Sequence, residues 1–177
     1  SMRMLRYWEG DRPCPPPGMV PESVAGRIKA CAEEKANAQR TDALSAKIAQ
    51  IHLSDAAGPE ECLEIIDQTF VNVGYMWPFR VPGYFAACLE TDRLLESYQY
   101  HKLVLQLLQW NSAPRRWVLK WPCHLVALDE IVTVHSEAKF VVTHRDPIQA
   151  LASNCSLATM LRQGSSDVFG RRAGLPD

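Results

Sequence analysis

The sequence predicts an α/β fold that is rich in helix and contains a short parallel sheet. In the second half, short apolar segments alternate with amphipathic ones, which indicates the order strand, helix, strand, helix. The first half is rich in Ala, Glu, Lys and Gln, which favour helices. A third observation is the β-branched segment 140–143, which ends in a polar cluster before Asp146 and Pro147 begin a helical pattern. Two short strands joined by one helix imply a right-handed parallel crossover.

Length and composition indicate a single domain, residues 1–177. About half of these residues (47%) are apolar, so the chain can bury a core. Nineteen Lys and Arg residues oppose twenty Asp and Glu residues, and the net charge of −1 provides no global field to attract nucleic acid. The chain shows neither an apolar run of the about 20 residues that span a bilayer nor a signal-peptide pattern. We therefore expect no membrane span.

The six cysteines indicate free thiols. They stand at positions 14, 31, 62, 88, 123 and 155, and no two form a Cys-x-x-Cys pair. A zinc site is therefore not expected, and disulfide frameworks belong mainly to smaller secreted chains. We expect reduced, mostly buried thiols, no metal and a cytoplasmic location.

The first 113 residues predict an irregular start followed by helices. The Pro-rich residues 1–21 predict an extended lead-in, and residues 22–113 are predicted to be mainly helical. One or two helices are expected within 22–50. Another helix is expected to start at 58–61, where Pro and acidic residues would occupy its first turn.

Two further features lie in this half of the chain. A loop at 74–83 and the residue after it carry Trp77, Phe79 and Tyr84, which either pack locally or line a pocket. The longest helix is predicted at about 92–111. Its apolar stripe consists of Leu94, Tyr98, His101, Leu105 and Leu108.

Residues 114–163 form the alternating region. The predicted elements are a strand at 117–120, a helix at 122–134, a strand at 138–143 and a helix at 147–163. The Gly-, Ser- and Arg-rich tail at 164–177 is expected to be mobile.

The start of the last helix predicts an anion site. Asp146 is a good N-cap, and Pro147 is tolerated next to it because its missing N–H would be unpaired there. Arg145 stands at the strand end, and Ser153 lies about two helical turns after the cap, on the same face. The guanidinium and the hydroxyl thus converge where the helix dipole favours an anion. Taken alone, Arg145 also fits a surface ion pair, and Ser153 a hydroxyl bonded to its own helix.

The residues of this region resemble bacterial members of the sulfotransferase superfamily. The resemblance rests on Arg116–Leu125 (Arg-Trp-Val-Leu-Lys-Trp-Pro-Cys-His-Leu), Leu128-Asp129, residues 138–147 (Ala-Lys-Phe-Val-Val-Thr-His-Arg-Asp-Pro) and Ser153. Weaker agreement extends upstream, so that it covers most of residues 8–167. The resemblance implies a P-loop-NTPase-like sulfotransferase fold, 3′-phosphoadenosine 5′-phosphosulfate (PAPS) as sulfuryl donor, a small-molecule acceptor and no metal.

The same resemblance implies roles for four residues. Arg145 and Ser153 match the pair that holds the 3′-phosphate of PAPS, with the family's spacing. Lys120 matches a lysine that supports sulfuryl transfer, and His124 lies in the family's Pro-x-His motif near the acceptor. His124 is the first candidate for the base, and Glu60 or Glu61 is the second. Without a functional role, Lys120 would reach solvent and His124 would pack in its helix.

Two departures from the family pattern limit this expectation. The family's Gly-rich phosphosulfate loop is absent, and no Gly in the chain is followed by Lys. The family's C-terminal region is also missing. We therefore expect an incomplete sulfotransferase domain, truncated at both ends and inactive as this fragment. The alternative is a non-catalytic remnant that binds a partner or itself through an open sheet edge. Alcohol, phenol, amine and sugar acceptors all stay open.

Overall fold

The fold is rich in helix and contains one short parallel sheet, as predicted. The computed structural model describes residues 1–165, so the predicted tail at 164–177 lies outside the described residues apart from its first two. In chain order, the elements are β1 (Met2–Met4), α1 (Tyr7–Asp11), α2 (Ser23–Thr41), α3 (Ala43–Ile51), α4 (Leu63–Asp67), α5 (Pro82–Cys88), α6 (Thr91–Leu108), β2 (Arg116–Val118), α7 (Leu128–Val134) and α8 (Pro147–Ser165). Short 3-10 helices at Val73–Met76 and Pro122–Val126 precede α5 and α7.

The predicted helices at 22–50, 92–111 and 147–163 are confirmed as α2 with α3, α6 and α8. Asp42 separates α2 from α3 and caps the start of α3, because its carboxylate accepts hydrogen bonds from the backbone N–H groups of Leu44 (3.4 Å) and Ser45 (2.6 Å). All five residues of the predicted stripe on α6 are buried. Helix α6 is therefore central to the core. Within the described residues, no helix is long and apolar enough to cross a membrane.

The core lies on both sides of this stripe. Leu94 and Tyr98 pack with Cys62 and Ile66 at the start of α4, and with side chains that follow β2. Towards the C-terminal end of α6, a second cluster joins Leu5 to Ile65, Val104, Leu105 and Leu108. The segments after β1 and β2 are thus held by the same helix.

The sheet consists of β1 and β2, which run parallel with Arg3 opposite Trp117. The prediction of an irregular lead-in is wrong here, since residues 1–21 contain both β1 and α1. Burial of Leu5 and stacking of the Arg3 guanidinium over the Trp117 ring, 4.1 Å from its centroid, hold β1 in place. These are long-range contacts that the Met-Arg-Met pattern does not indicate.

The predicted strand at 138–143 does not form. Among residues 1–165, no strand neighbours its backbone, and β2 pairs with β1 instead of crossing over to it. Phe140, Val141 and Val142 are 46%, 91% and 54% exposed. An apolar β-branched segment becomes a strand only when another strand satisfies its backbone groups, so the predicted parallel crossover is wrong within the described residues.

Two other predicted helices differ from the structure. Residues 58–61 are not helical, because Glu60 N–H donates to Leu5 C=O (2.8 Å) and Pro59 bridges Arg6, so that α4 begins only at Leu63. The helix expected at 122–134 is divided into a 3-10 helix and α7 by the non-helical backbone of Ala127 (φ −137°, ψ 32°). Burial of Ala127 in the core fixes this break.

Candidate functional site

Lys120 lies two residues after β2, where the chain leaves the sheet. Its ammonium group contacts the carboxylate of Glu61, and its C=O accepts a hydrogen bond from Cys62 N–H (3.0 Å). Cys62 is fully buried, so this backbone bond joins the end of the sheet to the segment before α4. The side chain of Lys120 is exposed, as the solvent-reaching interpretation predicts, but it is held by a carboxylate.

His124 is in the 3-10 helix that follows Lys120. A hydrogen bond of 2.7 Å joins its Nδ1 to Tyr98 Oη on α6, and the ring of Trp121 lies edge-on at 5.5 Å. Burial, together with the nearby His135, lowers the pKa of His124 to about 4. Burial also raises the pKa of Tyr98 well above its ordinary value. At neutral pH a neutral imidazole therefore meets a protonated phenol.

His101 and His135 complete a histidine cluster around His124. The centroid of the His101 ring lies 6.3 Å from that of His124 and 5.7 Å from that of His135. His101 is 1% exposed, and neither of its ring nitrogens has a hydrogen-bond partner among the described residues. Burial, followed by the two neighbouring histidines, lowers the pKa of His101 to about 3. The sequence placed His101 on the buried stripe but gave no signal of this cluster, which depends on the positions of α6 and α7.

A cavity of about 860 Å³ opens beside Lys120 and His124. Its walls come from α6, the segment around β2 and the non-helical residues 136–143. Among the described residues, its charged lining is mostly cationic and contains a single acidic residue: Lys102, Arg115, Arg116, Lys120, Lys139 and Glu137. The size lies within the range of small-molecule sites, and the charge favours an anionic ligand.

Arg145 and Ser153 are not among the residues that line the cavity beside Lys120 and His124. The cavity lining ends at Thr143, and Arg145 and Ser153 are exposed beyond it. Asp146 caps α8 as predicted, because its Oδ1 accepts hydrogen bonds from the N–H groups of Ile148 (2.8 Å) and Gln149 (3.4 Å). Of the four predicted site residues, Lys120 and His124 therefore line the cavity, whereas Arg145 and Ser153 are outside its lining.

The aromatic residues near α5 pack locally. The ring of Tyr75 stacks on Tyr84 with centroids 5.8 Å apart and meets the Phe79 ring edge-on at 6.0 Å. The Tyr84 hydroxyl donates to Phe70 C=O and accepts from Asn72 N–H, both at 3.0 Å. Neither Trp77, Phe79 nor Tyr84 lines the cavity, which favours the local-packing alternative. In residues 1–165, no group of His, Cys, Asp and Glu is arranged to hold a metal ion.

Comparisons with known proteins identify one family. A model of the family described as "Sulfotransferase family" matches residues 3–175. The solved structure of sulfotransferase STF9 from Mycobacterium avium is similar with a TM-score of 0.78 and 28% identity, over 94% of this chain and 42% of that one. Sulfotransferase STF1 from Mycobacterium tuberculosis H37Rv gives a TM-score of 0.74 and 31% identity, over 95% and 45%. No curated protein sequence matches.

These matches confirm the predicted resemblance and the predicted fold class. The chain spans less than half the length of the two solved proteins it matches.

Proposed function

Since the chain belongs to the sulfotransferase family, we propose that it carries part of the site of an enzyme that transfers a sulfuryl group from PAPS to an acceptor hydroxyl or amine. The observation that carries this proposal is the cation-lined cavity, on whose wall Lys120 and His124 lie together. Five cationic side chains on this wall suit a donor with several phosphate and sulfate charges. We place the parent enzyme in the cytoplasm, in keeping with six free thiols, four of them buried.

Arg145 and Ser153 are the proposed ligands of the 3′-phosphate of PAPS. Both are exposed, and both lie near the N-terminal end of a 19-residue helix whose dipole favours an anion. A bound nucleotide would have to connect this region to the cavity, since Arg145 and Ser153 are not among the residues that line it.

Lys120 and His124 are the proposed catalytic pair. PAPS supplies the sulfuryl group, whose bond to the 5′-phosphate oxygen breaks as a bond to the acceptor oxygen or nitrogen forms. Lys120 would stabilise the negative charge left on the phosphate oxygen. His124 would accept the acceptor's proton at Nε2, which is unprotonated in the tautomer whose Nδ1–H donates to Tyr98 Oη. The neutral form of His124 at physiological pH is the form that this role needs.

We also propose that this chain alone has severely impaired turnover. The sequence contains no Gly-rich loop of the phosphate-binding type, whose backbone N–H groups would hold the 5′-phosphate. Residual binding through the 3′-phosphate would be independent of such a loop. Nucleotide binding therefore tests the proposal better than turnover does.

The first experiment is thermal unfolding with 3′-phosphoadenosine 5′-phosphate (PAP), the sulfate-free product. A ligand at 100 times its dissociation constant adds about 2.7 kcal/mol to the free energy of unfolding. We expect a saturable rise in Tm that Arg145→Ala abolishes. Arg40→Ala, which removes an exposed arginine from α2, is the matched control. No shift at millimolar PAP would refute a working nucleotide site in this chain.

In a complete parent enzyme that is active, Lys120→Ala should lower kcat much more than it weakens PAP binding. An unchanged kcat in this variant would remove Lys120 from the mechanism.

A second candidate function is self-association of a non-catalytic domain. It is favoured by the exposed apolar segment at Phe140–Val142 and by a two-stranded sheet, which is marginal on its own. Sedimentation equilibrium distinguishes the candidates: this one predicts a dimer that Val141→Lys converts to a monomer. A monomeric wild-type chain would refute it.

A further inference from the structure

Glu61 and Lys120 are brought together by the backbone rather than by chance contact of two surface side chains. They are 59 positions apart, yet Cys62 N–H donates to Lys120 C=O at 3.0 Å, directly beside the contact between the two charged groups. Cys62 is fully buried. The hydrogen bond and the burial fix the backbone of Glu61 next to that of Lys120.

The backbone of Glu61 is fixed from its other side by Glu60. The Glu60 carboxylate accepts hydrogen bonds from Ser54 Oγ and from Glu61 N–H (2.9 Å), and its Oε1 lies 3.0 Å from His52 Nε2. Burial raises the pKa of Glu60, but these hydrogen bonds outweigh it, so the net pKa is lowered and the carboxylate is charged. The backbone of Glu61 is therefore held in place from both sides.

The two partners differ in freedom. The Lys120 side chain is 65% exposed, whereas that of Glu61 is 19% exposed. Lysine has four rotatable carbon–carbon bonds in its side chain, and an ion pair this exposed contributes little to stability. Lys120 can therefore leave Glu61 when a stronger anionic partner arrives, while Glu61 stays in place.

Lys120 also lines the cation-rich cavity, whereas Glu61 is not among its lining residues. The ammonium group thus has an anion on one side and a cavity suited to an anion on the other. The contact with Glu61 neutralises this one cation of the lining at rest.

We propose that Glu61 is a positioning residue for Lys120: its carboxylate holds the ammonium group at rest and competes for it with the anionic group that enters the cavity. The inference deepens the proposed function and rests on it for the identity of the anion. Competition makes binding selective, because a multiply charged anion displaces a carboxylate from Lys120 more readily than a singly charged one does.

The test measures the reactivity of Lys120 in the full chain. Acetylation by acetic anhydride, followed by mass spectrometry at Lys120, is compared in wild type, Glu61→Gln and Glu61→Asp. We expect Glu61→Gln to acetylate about two- to fivefold faster, the range that a lost exposed ion pair allows, and Glu61→Asp to return towards the wild-type rate. Glu33→Gln removes the same charge from exposed α2 and should leave the rate at Lys120 unchanged.

The second part measures protection of Lys120 by anions. Inorganic pyrophosphate and PAP are titrated separately, and half-protection should need a lower concentration of each in Glu61→Gln than in wild type. An unchanged acetylation rate in Glu61→Gln, or unchanged half-protection by both probes, overturns the inference. If pyrophosphate protects and PAP protects no better, Glu61 competes as proposed but the nucleotide assignment fails. If neither protects at millimolar concentration, both proposals are overturned.

Discussion

Acidification tests the buried histidine cluster formed by His101, His124 and His135. The pKa of His101 falls from an ordinary 6.5 to about 3 on folding. The free energy of unfolding is therefore unaffected by His101 titration above pH 6.5 and decreases progressively as the pH falls towards 3, because only the unfolded chain takes up the proton. At pH 4.5, two units below the unfolded value, the loss amounts to about 2.7 kcal/mol. His124, with a pKa of about 4, adds a loss of similar size.

Replacement of His101 by Phe separates this effect from general acid unfolding. Neither ring nitrogen has a partner among the described residues, so the apolar ring loses no hydrogen bond. Urea unfolding followed by circular dichroism at pH 8.0 and pH 4.5 gives the free energy of unfolding of each variant. We expect the difference between the two pH values to be smaller in His101→Phe than in wild type by about 2–3 kcal/mol.

The matched control is His144→Phe, which makes the same substitution at an exposed position. It should show the wild-type pH dependence. If His101→Phe and wild type lose the same stability between pH 8.0 and pH 4.5, His101 is not buried as a neutral imidazole and the cluster is wrong.

Three further substitutions test other parts of the structure. Burial, with Asp67 and other nearby acids, raises the pKa of Glu64 to about 7. The folded state therefore loses stability as the pH rises from 4.5 through 7, because the unfolded chain gives up this proton first. Glu64→Gln should add about 1–3 kcal/mol to the free energy of unfolding at pH 8 and nothing at pH 4, as measured by urea unfolding. Asp146→Ala removes the cap of α8 and should reduce the helicity of α8 and lower the free energy of unfolding by about 1 kcal/mol. Asp146→Asn should retain most of the capping. Equal circular dichroism spectra of wild type and Asp146→Ala would contradict the cap. Tyr98→Phe leaves His124 Nδ1 without its hydrogen bond and should lower the free energy of unfolding by about 1–3 kcal/mol, whereas an unchanged value would show that the bond contributes nothing.

What the sequence could predict was local. The α6 stripe follows from helical periodicity, and Asp146-Pro147 specifies the start of α8 without help from the rest of the chain. The segment at 138–143 has the composition of a strand, but its composition does not show whether another strand lies beside it to accept its backbone hydrogen bonds. The backbone hydrogen bonds of β2 go to β1, whose three residues, Met2–Met4, carry too little pattern to be recognised.

The candidate site likewise contains residues placed by local sequence and residues placed by long-range contacts. Arg145 and Ser153 flank one helix start, so their common face stays a prediction of the sequence, and nothing local determines how far they lie from the sheet. Lys120 and His124 are placed by contacts with Glu61, Cys62 and Tyr98, which the sequence does not bring together. A substitution at the cap should therefore disturb only the proposed 3′-phosphate ligands. A substitution in the core around Cys62 should disturb only the proposed catalytic pair, so the two halves of the site can be weakened independently.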